Sequence, residues 1–210
     1  MIHPDTHLRL ATGVNTATSP QVLRTIALEG TAVAVWHRAL HDGLRTELGQ
    51  LTKDQLPAVR TLLAVDSVES AVLDACKAAG MPDGRLAAML ADDVATLATL
   101  FSEILAQPLL RLTLDVPHDA ATPRFLMAME RARLFCSYRG QGVQFGAAHP
   151  DGPPREFLEL APGVAAIFRG FLWRSKQLPG IVHRVPLPER PGERPLLLVI
   201  DPVDTVVGHG

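Results

Sequence analysis

The sequence predicts an α+β protein in which a helical N-terminal half packs on a C-terminal antiparallel β-sandwich of jelly-roll kind. Three observations carry this reading. Before residue 108 alanine and leucine dominate, and apolar positions recur at intervals of three and four. After Pro108 the period shortens to two, in short runs broken by glycine and proline. No helical pattern separates those runs, which argues against parallel strands joined by helices. Residues 1–107 are accordingly the mainly helical region and 108–210 the sandwich, together forming one compact folding unit.

Each element follows from its own pattern. In "TAVAVWHRAL" the β-branched and aromatic Val33, Val35 and Trp36 predict a short strand over about 31–37, running into a helix that starts near Leu40. A helix is expected over about 52–64, with Thr52 as N-cap and Pro57 in the first turn or at a bend. Val68, Ala71, Val72, Ala75 and Cys76 line one side of a further helix. The longest apolar stripe, Leu86, Leu90, Val94, Leu97, Phe101 and Ile104, ends where Pro108 disfavours helical geometry in its predecessor. Seven strands are expected beyond it: "LLRLTLDV", "ARLFCSYR", "GVQFG", "REFLEL", "GVAAIFRG", "GIVHRV" and "PLLLVID". In the first of these Leu110, Leu112 and Leu114 face one way and Arg111, Thr113 and Asp115 the other.

Composition narrows the function classes. The chain has 210 residues, 47% of them hydrophobic, enough for one substantial core. Twenty basic against twenty-two acidic side chains leave a formal charge of −2, so nothing recruits nucleic acid or an anionic membrane. No basic region followed by an apolar stretch opens "MIHPDTHLRLATG", and no run approaches the ~20 apolar residues that span a bilayer. A cytoplasmic protein is expected. Cys76 and Cys136 are the only cysteines, and both read as small buried hydrophobes. An open strand edge in such a sandwich is compatible with a homodimer.

The segments "AVAVWHRAL", "TPRF", "RLFCSYRGQGVQF", "VAAIFRG", "GIVHR" and "RPLLLVID", in that order, resemble the bacterial family of unknown function numbered 1826. The resemblance runs from about residue 30 to 202, and its most specific part is "CSYRGQG" with "GIVHRVP…RPLLLVID". It implies a double-stranded β-helix of the cupin and 2-oxoglutarate oxygenase type. In that family the stretch matching "TPRFLMA" typically reads Cys-Pro-Arg-Phe-His-x-Asp, and the implied chemistry is a metal held by His-x-Asp and a distal His. Two imidazoles and a carboxylate would occupy one face of an iron(II) ion, and an arginine past the distal His would grip a carboxylate co-substrate. His183 and Arg194, eleven residues apart, match the second half of that layout. The first half departs from it: Thr122 stands for the cysteine, Leu126 for the histidine and Ala128 for the aspartate.

Two functions of different class follow. In the first, the chain is a degenerate, pseudoenzyme-like member with no metal or other cofactor. It binds a small organic anion or a protein partner, with Arg194, Arg133, Arg169 and Tyr138 as candidate donors around the barrel mouth. Tyr138, the only tyrosine, is either such a donor or a tied-down core ring. In the second, it is an oxygenase-like enzyme using His183 with non-standard ligands for Fe(II) or zinc, or a metal-independent acid/base catalyst through His183. His149 and Asp151, in "HPD", are the fallback partners of His183 in a rebuilt metal site, against the alternative of an exposed turn. His118 and Asp119 read as a solvated turn and Glu130 as a surface charge. His183 itself can equally be satisfied by the backbone, and Arg194 by Glu193 or Glu189. A zinc-homeostasis association is implied by the resemblance alone. Ser137 lacks a nucleophile elbow, Cys136 gains a base only if His183 comes close, and "RGQGVQFG" leads into a strand instead of a phosphate-binding helix.

Overall fold

The computed structural model describes residues 9–82, 84–115, 123–188 and 194–203. In chain order the elements are β1 (Arg9–Ala11), β2 (Gly13–Ala17), a 3-10 helix (Pro20–Ala27), β3 (Thr31–Trp36), α1 (Asp42–Gln50), β4 (Val59–Ala64), α2 (Val68–Ala78) and α3 (Gly84–Leu105). There follow β5 (Leu109–Asp115), β6 (Ala132–Arg139), β7 (Gln144–Ala147), β8 (Leu158–Glu159), β9 (Ala165–Arg169), β10 (Gln177–Pro179), β11 (Ile181–Arg184) and β12 (Leu196–Pro202).

A seven-stranded sheet in the order β2-β3-β9-β6-β12-β5-β4 is the backbone of the molecule. A three-stranded sheet, β11-β7-β8, faces one side of it, and a two-stranded parallel pair joins β1 to β10. From β5 onward the strands of these two larger sheets are shared out in turn: β5 and β6 to the large sheet, β7 and β8 to the small, then β9, β11 and β12 to large, small and large. The protein is thus a mixed α/β structure built on one large sheet.

Strand alternation divides the interior in two. On β6, Leu134, Cys136 and Tyr138 point toward the helices, while Phe135 points toward the small sheet. Leu110, Leu112 and Leu114 of β5 join the helical side, where Leu90, Val94, Leu97 and Phe101 of α3 cover them; all seven are fully buried. This apolar stripe is the 3.6-residue pattern of the sequence, and α3 ends as that pattern predicts. Ala106 adopts a left-handed conformation (φ 48°), Gln107 N–H returns to the Ser102 carbonyl at 3.0 Å, and Pro108 follows. Phe135, Phe145, Phe168 and Ile181 fill the space between the two sheets.

Two expectations need correction. Residues 59–64 are a strand, not part of a helix: Val59, Thr61 and Leu63 are half-buried while Arg60, Leu62 and Ala64 are exposed, a period of two. Pro57 precedes this strand, where its missing N–H costs no ladder bond. The N-terminal half is also not a helical layer apart from the sheet, because β2, β3 and β4 belong to the large sheet and β2 and β4 form both of its edges. Among the described residues no helix is long and apolar enough to cross a membrane.

Candidate functional site

The segment 123–130, between β5 and β6 in sequence, reaches across to β11 of the small sheet. Leu126 and His183 lie directly opposite one another in an antiparallel bridge. Leu126 N–H donates to the His183 carbonyl at 2.8 Å, and His183 N–H donates back at 2.9 Å. On its other side the segment is tied to the turn after β9: Phe171 N–H donates to the Ala128 carbonyl at 2.8 Å and Gly170 N–H to the Arg131 carbonyl at 3.0 Å. Glycine is required at 170, since a Cβ there would stand 1.9 Å from the Glu130 carbonyl oxygen.

Between this segment, β11 and the face of β5, β12 and β6 lies a cleft of about 560 Å³. Its sheet wall is a cross-strand row: Asp201 pairs in register with Arg111 of β5, and its carboxylate is held by the neighbouring Arg133 of β6. Arg133 Nε and Nη2 donate to the two Asp201 oxygens at 2.6 and 2.9 Å, and Nη2 also meets Glu130 at 2.9 Å. Burial raises the Asp201 carboxyl above its ordinary pKa, although the two bonds from Arg133 pull the other way. Arg111 stands 3.9 Å from Glu130 and Arg60 3.4 Å from Asp115. Exposed Arg124 completes the rim and has no acidic partner among the described residues.

His183 forms the floor, 6% exposed and packed against Phe135 and Phe168 at ring-centroid distances of 4.9 and 5.3 Å. Burial, with the positive charge of Arg133 second, lowers its pKa to about 4. The imidazole is therefore neutral at pH 7. Its Nδ1 is buried with no hydrogen-bond partner among the described residues, and so is Glu130 Oε2.

The other predicted donors lie elsewhere. Tyr138 is on the helix side of the large sheet, where its hydroxyl donates to Asp93 at 2.5 Å and Asp93 in turn pairs with Arg38. It is a tied-down core ring, with its hydroxyl held well above the ordinary pKa chiefly by burial. Arg169 is on that same side; its Nη2 donates to the Ile26 and Leu28 carbonyls at 2.6 and 2.8 Å, and it stacks over Trp173. Arg194 lies just before β12, in the other sheet from His183, so the two are not on adjacent strands and Arg194 does not line the cleft. Only Arg133 and His183 of the predicted set meet there, and Arg133 is already engaged.

His149 and Asp151 do not approach His183. They sit in an exposed turn, with Asp151 N–H donating to His149 Nδ1 at 3.2 Å and Arg155 standing against the other ring nitrogen. His118, Asp119, Glu189 and Glu193 fall outside the described residues. Cys136 faces the helices, away from His183, and burial pushes its thiol up to about 11. Glu130 is a half-buried cleft residue and not a surface charge.

A metal centre of His-x-Asp plus distal His does not fit this chain. Leu126 and Ala128 present hydrocarbon beside His183, and the carboxylates that do line the cleft, Glu130 and Asp201, are taken by Arg133. Among the described residues no three His, Cys, Asp or Glu side chains are grouped closely enough to hold a metal ion.

Solved structures similar to this chain include dioxygenase for auxin oxidation 1 from Arabidopsis thaliana in its 2-oxoglutarate binary complex. It shows 11% identity, 92% of each chain covered and a TM-score of 0.49. Full-length T7H of Neurospora crassa in complex with alpha-KG shows 10% identity, with 96% of this chain and 86% of that one covered, TM-score 0.49. The dioxygenase for auxin oxidation of rice shows 13% identity, with 92% and 80% covered, TM-score 0.47. The expectation that the chain has no cofactor is corrected by these matches, two of which are complexes with 2-oxoglutarate. Among curated proteins none matches the sequence. Residues 17–201, which hold the whole large sheet apart from the last residue of β12 and the first four of β2, match the family described as Protein of unknown function (DUF1826), and the chain belongs to that family.

Proposed function

We propose that the chain is an oxygenase-like, double-stranded β-helix domain that binds a small organic anion in the cleft over His183. The alternation of strands between the two sheets supports the fold reading. The observation that carries the ligand reading is the charge of the cleft. Among the described residues Arg60, Arg111, Arg124, Arg133 and Arg184 line it with Glu130 and Asp201; Arg133 engages both acids, Arg111 approaches Glu130, and Arg60 pairs with Asp115 beside the cleft. Five guanidinium groups against these three acids leave a positive surplus at the rim, centred on Arg111 and Arg124, where a carboxylate finds planar, bidentate partners.

His183 closes the bottom of the site as a neutral ring. It brings no charge to the ligand, since a pKa of about 4 leaves almost no imidazolium at pH 7. A general acid or base works best with a pKa near the operating pH, so proton transfer by His183 in the unliganded cleft is the weaker reading.

The test is calorimetric titration with a panel of small carboxylates, 2-oxoglutarate included, at low salt. Binding by at least one of them, weakened tenfold or more by Arg111→Ala with Arg124→Ala, supports the reading. Binding indifferent to both substitutions, or none across the panel, contradicts it.

A further inference from the structure

We infer that the ligand of this cleft has one charged end and an apolar body, as a medium-chain or aromatic monocarboxylate does. This narrows the anion reading above and rests on it. Three features of the cleft point the same way. The first is where the charge lies: exposed Arg111 and Arg124 stand at the mouth, beside Arg60 with its partner Asp115, while the deeper Arg133 is neutralised by Asp201 and Glu130. The second is what lies between mouth and floor. Leu126 and Met129 line the cleft while 63% and 62% exposed, and Met127, Phe135 and Val199 line it with them.

Large apolar side chains left in water at the lip of a pocket gain free energy only when something apolar covers them. Methionine, unbranched and polarizable, adapts its shape to hydrocarbon and aromatic surfaces alike. The third feature is the floor itself. His183 is wedged between two phenylalanine rings and kept neutral there, a setting that disfavours a second charge on the ligand's inner end. A carboxylate at the arginine rim with its hydrocarbon over Leu126 and Met129 satisfies all three. A small hydrated anion such as phosphate, or a dicarboxylate reaching the floor with both charges, satisfies only the first.

Calorimetry on the full chain with acetate, butyrate and hexanoate, beside hexanamide and adipate, reads this directly. Affinity is expected to rise about fourfold for each methylene added until the cleft is filled. Hexanamide, lacking the charge, and adipate, carrying a second one, should each bind at least tenfold more weakly than hexanoate. Met129→Ser, and separately Leu126→Ser, should flatten the chain-length dependence; both side chains are exposed, and a melting curve for each checks that the fold persists. Carboxylates binding with equal affinity whatever their length, or adipate binding as tightly as hexanoate, would overturn the apolar-body inference and leave the anion site standing. Hexanamide binding as well as hexanoate, or no binding by any of the five, would overturn both.

Discussion

Leu126 and His183 exchange both backbone hydrogen bonds across one antiparallel bridge, and their side chains fall on the same face. That single pairing makes the cleft: an exposed leucine overhangs a buried imidazole, and the segment that carries the leucine becomes a wall. The wall is fixed on its far side by Gly170. Gly170→Ala would drive a methyl group into the Glu130 carbonyl, 1.9 Å from the ideal Cβ position, so backbone must move. We expect a loss of about 1–3 kcal/mol in chemical denaturation, and a loss of ligand affinity larger than that of a rim substitution.

Neutral His183 ties stability to pH. Its folded pKa, about 4, lies below its ordinary value of 6.5, so the unfolded chain binds the extra proton across that interval. The contribution is fully present above pH 6.5 and is lost progressively as pH falls toward 4, a change on the order of 3 kcal/mol. Denaturant unfolding of the natural chain and of His183→Gln at pH 7 and pH 4.5 checks it. The stability difference between the two proteins should shrink or reverse at the lower pH.

Tyr138→Phe should separate stability from binding. The substitution removes the donor to Asp93, which is shared with Arg38 in a network on the helix side of the sheet. A cost of roughly 1–3 kcal/mol is expected, with carboxylate affinity in the cleft unchanged.

Both thiols should be silent in the folded protein. Cys76 and Cys136 are 1% and 0% exposed, and burial raises each to about 11. A thiol reagent at pH 8 should label neither until denaturant is added, and then both.

Much of the fold was legible because burial on one face leaves a period in the sequence. Leu110, Leu112 and Leu114 announced β5, and "ARLFCSYR" coincides with β6 to the residue. The edge strand β4 was misread because both its faces are partly solvated, so its apolar residues leave no clean alternation. The site was less legible. Tyr138 and Arg133 lie an odd number of residues apart on one strand, which puts them on opposite faces, and the sequence alone contains that fact. The placement of Arg169 depended on its pairing with Ala132, a register that no local pattern carries. The polar face of β5, Arg111 and Thr113, reads the same whether it meets solvent or a cleft, and here it is a cleft wall. Only the sheet closing over it tells the two apart.

The most direct test of the account is the imidazole of His183, followed by NMR of histidine-labelled protein through a pH titration, with and without saturating hexanoate. The account predicts a ring that titrates near pH 4 when free and no higher with hexanoate bound, because the carboxylate sits at the rim and the hydrocarbon covers the ring; the ring resonances should move on binding, and stay put in Arg111→Ala with Arg124→Ala. A ring that titrates near 6.5 in the free protein, or one whose pKa is raised by bound hexanoate, would contradict it.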